Sequence, residues 1–525
     1  MTLFGIASDT LQYVLKINSL CVAGHGNAGM NVGGKLFRFI SVALVCLALY
    51  SCGKEKPRLD QLRILLWAQP TILNPNEDFD SLTDSVLFNV FEPLIAVDKD
   101  LKLKPALAAG WENPAPEIWR FHLRKDVRFH DGTPLNAEVV RSALADVARS
   151  NYETSGSLNS IKEFRIVDNF VIDLVTEKPS PILSRLAFVH IFKRNEGNFP
   201  PFLGTGPYKI TRWDPSTAID LDHFEEYWGG HPEFKSAQFK SVPEGEKRLQ
   251  MLASGQADII YSVPFERVSL KIPGTILERH VGLAVYYLGF NLKDDPANPF
   301  RDVRVRLATH MAIQRQRLID GPLLGNGSIP TQPVAPHVFG FDPGIPAPEY
   351  NIEKAKALMA EAGYPEGFAT QLDFTTGRRQ VAVLLQDDLS KINIRINLNG
   401  LDRNEVYSRA EKGLSDFFLA GWDCSSGDAI EFYEFNLHSR GGTLGQGNYG
   451  NYFNREMDEI TEKQSYVTDE RTRKLMLQKA AKLAMQDLPI LPLFIEDDVY
   501  AMKDFLYFEP RADGQIKLID VKRRQ

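Results

Sequence analysis

Hydrophobic and polar positions alternate along this chain in two periods. Leu62-Arg63-Ile64-Leu65-Leu66-Trp67 is a compact apolar run suited to a buried strand. From Trp119 to Arg124 apolar and polar residues alternate strictly, which predicts a half-buried strand, and Asp131-Gly132 after Val127 and Phe129 supplies a turn, so this region reads as a hairpin. Other segments have the helical period. Asn136 is an N-cap for a helix carrying Val139, Val140, Ala143, Leu144 and Val147, and Asn351 caps a second whose stripe is Ile352, Ala355, Leu358, Met359 and Ala362, stopped by Gly363 and Pro365. A late helix carries Met476, Ala480 and Leu483, and Leu488 to Phe494 returns to extended chain. Helix and strand alternate over most of the length, which predicts an α/β fold with helix-covered sheets.

The N-terminus has a different pattern. Lys35 and Arg38 precede an apolar run from Phe39 to Tyr50, which ends at Ser51-Cys52-Gly53 and turns polar with Lys54, Glu55 and Lys56. This is the layout of a secretory signal; the run is too short for a membrane span, which takes about 20 apolar residues. Ser51 and Leu49 before Cys52 resemble a bacterial lipobox, with Cys52 as the lipidated first residue of the mature chain. Residues 1–29 fit no signal pattern, and Met30 gives a signal of normal length.

The remaining length, in a chain of 525 residues, calls for two or three domains. A hydrophobic fraction of 44% with 24% charged residues is that of an ordinary globular protein. The net charge of -7 is mild and forms no basic stripe, so no nucleic-acid partner is expected. Of the four cysteines, Cys424 alone is left as a free thiol after processing and lipidation, so neither a disulfide framework nor a cysteine-rich metal site is expected.

Leu107-Ala108-Ala109-Gly110-Trp111-Glu112 followed by Phe121-His122-Leu123-Arg124-Lys125-Asp126-Val127-Arg128-Phe129-His130-Asp131-Gly132-Thr133-Pro134 closely resembles the signature of the dipeptide-, oligopeptide- and nickel-binding class of extracellular solute-binding proteins. Four later blocks follow in the family's order: Gly204-Thr205-Gly206-Pro207-Tyr208 with Tyr227-Trp228-Gly229-Gly230; Gly255-Gln256-Ala257-Asp258-Ile259; Phe290-Asn291 with Val303-Arg304-Val305-Arg306; and Tyr350 to Pro365. The glycines of the first block are read as a tight turn, since no phosphate-loop pattern follows them.

The resemblance implies a two-lobed clamshell of the periplasmic-binding-protein type, with an extra subdomain in lobe one. Its implied layout is a signal region at 1–51, a lipid-anchored tether at 52–60, lobe one from 61–95, 203–283 and 492–525, the extra subdomain at 96–202, and lobe two at 284–491. The crossings fall near Gly282–Asn291 and Asp487–Phe494. It implies the substrate-binding component of an ABC importer: a monomer with no cofactor and no catalytic or metal site, anchored to the outer face of the cell membrane or in the periplasm. It would deliver peptides to ABC permease subunits. A non-peptide ligand on the same fold (a sugar oligomer, metal chelate or haem) and a ligand-sensing receptor are the alternatives. A secreted hydrolase is disfavoured, since no nucleophile elbow or zinc-helix motif occurs.

Family ligand contacts cluster around a Gly-Trp dipeptide, here Gly421-Trp422, followed by Asp423, Ser425 and Asp428. Trp422 is read as a cleft aromatic or as core. In peptide-binding relatives an aspartate three places after this tryptophan pairs with the peptide α-ammonium; here that position is Ser425. Either Asp423 or Asp428 takes over, or the ligand has no free amine. Thr376 and Arg378 lie where relatives place polar contacts, Arg378 being either a carboxylate fork or a solvated arginine at a helix start. In lobe one Trp67, Gln69 and Thr71 follow the first strand and are further candidates.

Overall fold

The computed structural model describes residues 60–68, 70–77, 81–441 and 444–524, all within one compact unit, Leu59–Gln525. The signal region, Cys52, the tether up to residue 59 and Gln69 lie outside the described residues.

One sheet of eleven strands runs through this unit. Ten of them are β1 (Gln61–Leu66), β2 (Tyr208–Asp214), β3 (Ala218–His223), β4 (Ser236–Ser241), β5 (Ile259–Tyr261), β6 (Thr275–Phe290), β7 (Phe368–Thr375), β8 (Ile394–Leu401), β9 (Phe417–Asp423) and β10 (Ile490–Lys503). Their order is β2-β3-β4-β1-β5-β10-β6-β9-β7-β8, and the short strand Gly327–Ser328 pairs with β10. β1 lies parallel between β4 and β5, and both of its faces are covered. Leu62, Ile64 and Leu66 enter one core while Leu65 enters another with Leu249, Leu252 and Val499. A strand buried on both faces has no polar side to display, which is why the segment reads as a continuous apolar run.

The sheet is divided by its two longest strands. β6 and β10 run antiparallel from Thr275 opposite Lys503 to Gly289 opposite Ile490, but their register slips between Val281 and Val285. β5, β1 and β4 to β2 lie on one side of this pair; β9, β7 and β8 lie on the other. The segments Gly282–Asn291 and Asp487–Phe494, expected from sequence as the crossings between lobes, lie on or beside these strands. A Cβ on Gly282 would stand 2.6 Å from the Glu496 carbonyl oxygen, so the break requires a residue without one. Gly282→Val is expected to cost about 1–3 kcal/mol by overpacking, read by denaturant unfolding, because β6 and β10 must separate at this point.

A second, four-stranded antiparallel sheet has the order Ala108–Ala115, Ile118–Leu123, Val171–Thr176, Ile161–Asp168 and carries the helix Ala137–Arg149. Asn136 caps that helix by accepting from the Val139 amide at 3.0 Å, while Ala137, Val140, Ala143, Leu144 and Val147 are buried. The hairpin expected after Ile118–Leu123 forms instead before it, with Ala108–Ala115; Asp131-Gly132 turns only a single bridge between Arg128 and Pro134. The chain reverses at Pro116-Glu117, where no Asp-Gly signal marks the turn. Phe121 and Ile172 share a core with Ile64 and Phe239, which joins this sheet to β1 and β4 of the large one.

Gly204 and Gly206 belong to a close approach of two backbones. A Cβ on Gly204 would fall 1.9 Å from the Val90 carbonyl oxygen, and the Gly206 amide donates to that same oxygen at 2.9 Å. The helix Ile352–Glu361, capped by Asn351, buries Ala355 and Met359 of its expected stripe; in Glu470–Asp487 the buried face runs through Leu477, Ala480, Ala481 and Ala484, so of the expected stripe Ala480 is buried while Met476 and Leu483 are half-buried beside it. Among the described residues no helix is long and apolar enough to cross a membrane.

Candidate functional site

Where the long strands lose register they leave a cavity of about 520 Å³. One wall is formed by Trp67 after β1, Tyr261 to Phe265 after β5, and Ala512 to Gly514; the other by Tyr286 on β6, Arg378 after β7 and Asp423 at the end of β9; Glu496, Asp497 and Asp498 of β10 close it. The cavity therefore collects chain ends and the irregular middle of the crossing pair, where the ladder leaves side chains free to face inward.

Charge is its dominant feature. Arg378 forks onto Glu496 at 2.8 and 2.7 Å, donates to the Tyr286 hydroxyl at 2.5 Å, and its guanidinium lies 4.2 Å from the centre of the Tyr286 ring. Burial opposes the charge, but the fork with Glu496 outweighs it and holds the guanidinium above its ordinary range. Asp513 is held by Arg511 at 2.5 Å. Asp423, Asp497 and Asp498 have no salt-bridge partner among the described residues, and Asp498 accepts only from the Tyr261 hydroxyl, at 2.7 Å. Enclosure by protein, then the neighbouring charges of Asp498, Glu431 and Asp513, push Asp423 up to about 7. Burial, eased by the Tyr261 hydroxyl, sets Asp498 at about 6. The raised values record acids that crowd one another without a salt-bridge partner among the described residues: Asp423 is exposed to the cavity, Asp497 feels Arg279 and His280, and Asp498 feels His280.

This gives a sign for pH dependence. In the ligand-free chain these carboxylates stay protonated in the fold at pH values where the unfolded chain has already released its protons. Their contribution favours the fold at low pH and is lost as pH rises through about 6 to 7. Asp423→Asn is therefore expected to melt near the parent's temperature at pH 4 and above it at pH 8. A parent equally stable at pH 8 would contradict the acidic-cavity account.

Of the residues singled out from sequence, Trp67, Arg378 and Asp423 line the cavity. The others do not. Side chains alternate along a strand, so with Asp423 facing the cavity its neighbour Trp422 faces away, where its ring packs 5.0 Å from that of Phe435 and 6.1 Å from that of Phe432. Trp422 packs half-buried against the core that holds Phe432 and Tyr433. Asp428 is buried on Arg473, with contacts of 2.6 and 3.0 Å, and accepts from Ser184 Oγ at 3.1 Å. Its charge is already neutralised, so it is not free to hold a ligand. Ser425 sits half-buried in the turn between them, Thr376 is exposed in the short helical turn that delivers Arg378, and Thr71 is exposed. Cys424 is a buried thiol directed at the Asp428 carbonyl at 3.1 Å, which suits a filler residue.

Sequence reading missed Tyr261, Tyr286 and the run Glu496-Asp497-Asp498. The run had a signal: three consecutive acids directly continue the apolar strand Leu488–Phe494, and a strand that turns acidic in mid-course is facing something other than core.

The described fold has close counterparts among known proteins. Glutathione-binding protein GsiB of Salmonella choleraesuis is 26% identical over 457 residues, covering 82% of this chain and 88% of that protein. HbpA2 from Haemophilus parasuis superposes with a TM-score of 0.78 at 25% identity, over 89% of this chain and 100% of the other. DppA from Helicobacter pylori, in complex with the peptide STSA, superposes with a TM-score of 0.72 at 23% identity, over 89% and 98% of the two chains, and shows the same fold. Residues 102–443 match the family described as bacterial extracellular solute-binding proteins, family 5 Middle. The chain therefore belongs to the family 5 bacterial extracellular solute-binding proteins.

Proposed function

We propose that this solute-binding protein captures peptides in the cavity between its lobes and delivers them to the permease of an ABC importer. The observation that carries the reading is the set of unneutralised carboxylates around Asp423. A peptide's α-ammonium is the counter-ion they lack, so Asp423 takes the amine role that Ser425 cannot. Tyr286 and the Arg378–Glu496 pair border the same space and meet the peptide's backbone groups. The glutathione-binding relatives and the peptide carried by DppA support a ligand of this class.

In this reading the change of lobe falls at the register break, residues 282–284 on β6 and 495–497 on β10. The first lies at the boundary expected from sequence, the second a few residues beyond it. Ligand held by one lobe adds contacts to the other, and closure follows from that difference in affinity. Lipidation at Cys52 would keep the protein at the outer face of the cell membrane, working as a monomer.

The test is mass spectrometry of what co-purifies with the chain, joined to thermal-shift titration with peptide pools and their N-acetylated forms. Free-amine peptides are expected to raise the melting temperature with concentration, and acetylated ones to do so far less. Recovery of a sugar oligomer, a metal chelate or haem, with no response to any peptide, would overturn the peptide assignment and leave the family intact.

A further inference from the structure

The cavity at the register break is lined by five acids and a single arginine. Much of this charge is already met within the chain. Arg378 takes Glu496, and Arg511 takes Asp513. Asp497 lies in the field of Arg279 and His280. Asp423 and Asp498 are left. Among the described residues the Asp423 carboxylate has no hydrogen bond, and that of Asp498 has one, from the Tyr261 hydroxyl to Oδ1 at 2.7 Å. His280 stands opposite Asp498 on the β6–β10 ladder and acts on it across space, but its Nδ1 meets the Val281 carbonyl at 2.8 Å.

The second oxygen of Asp498 is kept open by glycine. Gly282 and Gly514 both line the cavity, and a Cβ on the first would stand 3.4 Å, and on the second 3.5 Å, from Asp498 Oδ2. Side chains at these positions would cover the oxygen from two directions; the glycines leave it accessible. After enclosure by protein, the charge that raises Asp423 most is that of Asp498, so the two carboxylates are close enough to act on each other. One α-ammonium cancels one of these charges. The other is then left enclosed with the peptide and without a counter-ion, which is costly. A second cation on the same ligand removes that cost.

Trp67 offers a surface suited to such a group. It is 48% exposed and borders the same cavity, and an aromatic face both attracts an ammonium or guanidinium and packs the aliphatic stem that carries it. A volume of about 520 Å³ is that of a small-ligand site, so a second charge that reaches this space comes from a residue near the amino end of the peptide.

We propose that the cavity selects peptides with two positive charges close together, the α-ammonium and a lysine or arginine side chain at the first or second residue, Asp423 holding one charge and Asp498 the other, with the basic side chain's stem on Trp67. This selectivity rests on peptide capture by the same cavity.

Calorimetric titration of the full chain with matched tripeptides tests it: Lys-Ala-Ala and Ala-Lys-Ala against the same sequences with norleucine in place of lysine. Norleucine keeps the stem and lacks the ammonium. The better lysine peptide is expected to bind about tenfold or more tightly than its norleucine counterpart, the worth of a charge-assisted contact. This comparison is made in the parent chain and needs no variant to fold. Asp498→Asn should bring the two peptides to equal affinity while changing the norleucine peptide little, and Trp67→Leu should weaken the lysine peptide more than the norleucine one. Equal affinity of lysine and norleucine peptides for the parent would overturn the selectivity and leave peptide capture standing. A lysine preference that persists in Asp498→Asn would overturn the assignment to Asp498, and equal losses in Trp67→Leu that to Trp67. No binding of any of the four peptides would overturn peptide capture and the selectivity with it.

Discussion

Asp423→Asn is expected to weaken capture of a free-amine peptide about a hundredfold while the chain stays folded, because truncating one partner of a desolvated charge pair costs about 2–5 kcal/mol. Asparagine keeps the shape and the acceptor oxygen, so what is removed is the charge. N-acetylating the peptide removes the other half of the pair. The two losses should overlap: acetylated peptide should bind parent and variant alike, the signature of a shared interaction in a double-mutant cycle. Independent losses that simply add would show that the ammonium sits elsewhere, on Asp498 or Asp497. The variant at Asp498 is expected to be milder, because its carboxylate is already held by the Tyr261 hydroxyl.

The second large effect concerns the aspartate that sequence reasoning placed at the ligand. Asp428→Ala leaves the Arg473 guanidinium buried, with only Gln464 Oε1 at 2.9 Å among its side-chain hydrogen bonds, and is expected to destabilise the fold by about 3–5 kcal/mol. Denaturant unfolding reads this directly. Ser184→Ala removes the one hydroxyl that reaches Asp428 from the extra subdomain and is expected to cost about 1 kcal/mol. Arg185 makes a parallel contact to Glu434 at 3.1 Å. Both contacts tie the segment around Ser184 to the segment that follows Trp422. An Asp428→Ala chain with undiminished stability would return Asp428 to the list of ligand contacts.

The contrast between Asp423 and Asp428 marks the limit of reading a site from sequence. The two acids lie five residues apart, next to the same tryptophan, and nothing local separates them. Asp423 ends a strand whose alternation turns it into the space left by the register slip of β6 and β10. Asp428 lies past a turn, within reach of Arg473, 45 residues later in the chain. Trp422 was open to both readings for the same reason, and the pleat turns its ring from the cavity toward Phe432 and Phe435. The hairpin at Asp131-Gly132 failed differently: the turn exists, but the partner of Ile118–Leu123 was chosen by the pairing of the whole sheet.

What the sequence by itself determined was everything that depends on local periodicity and short-range chemistry. The buried strand at Leu62–Leu66, the helices opened by Asn136 and Asn351, the α/β class and the family blocks are all set by side chains within a few residues of one another. Only the tertiary structure decided which acids are neutralised and which face an empty space, because a carboxylate's partner is chosen by distance in space and the cations of this fold come from remote segments.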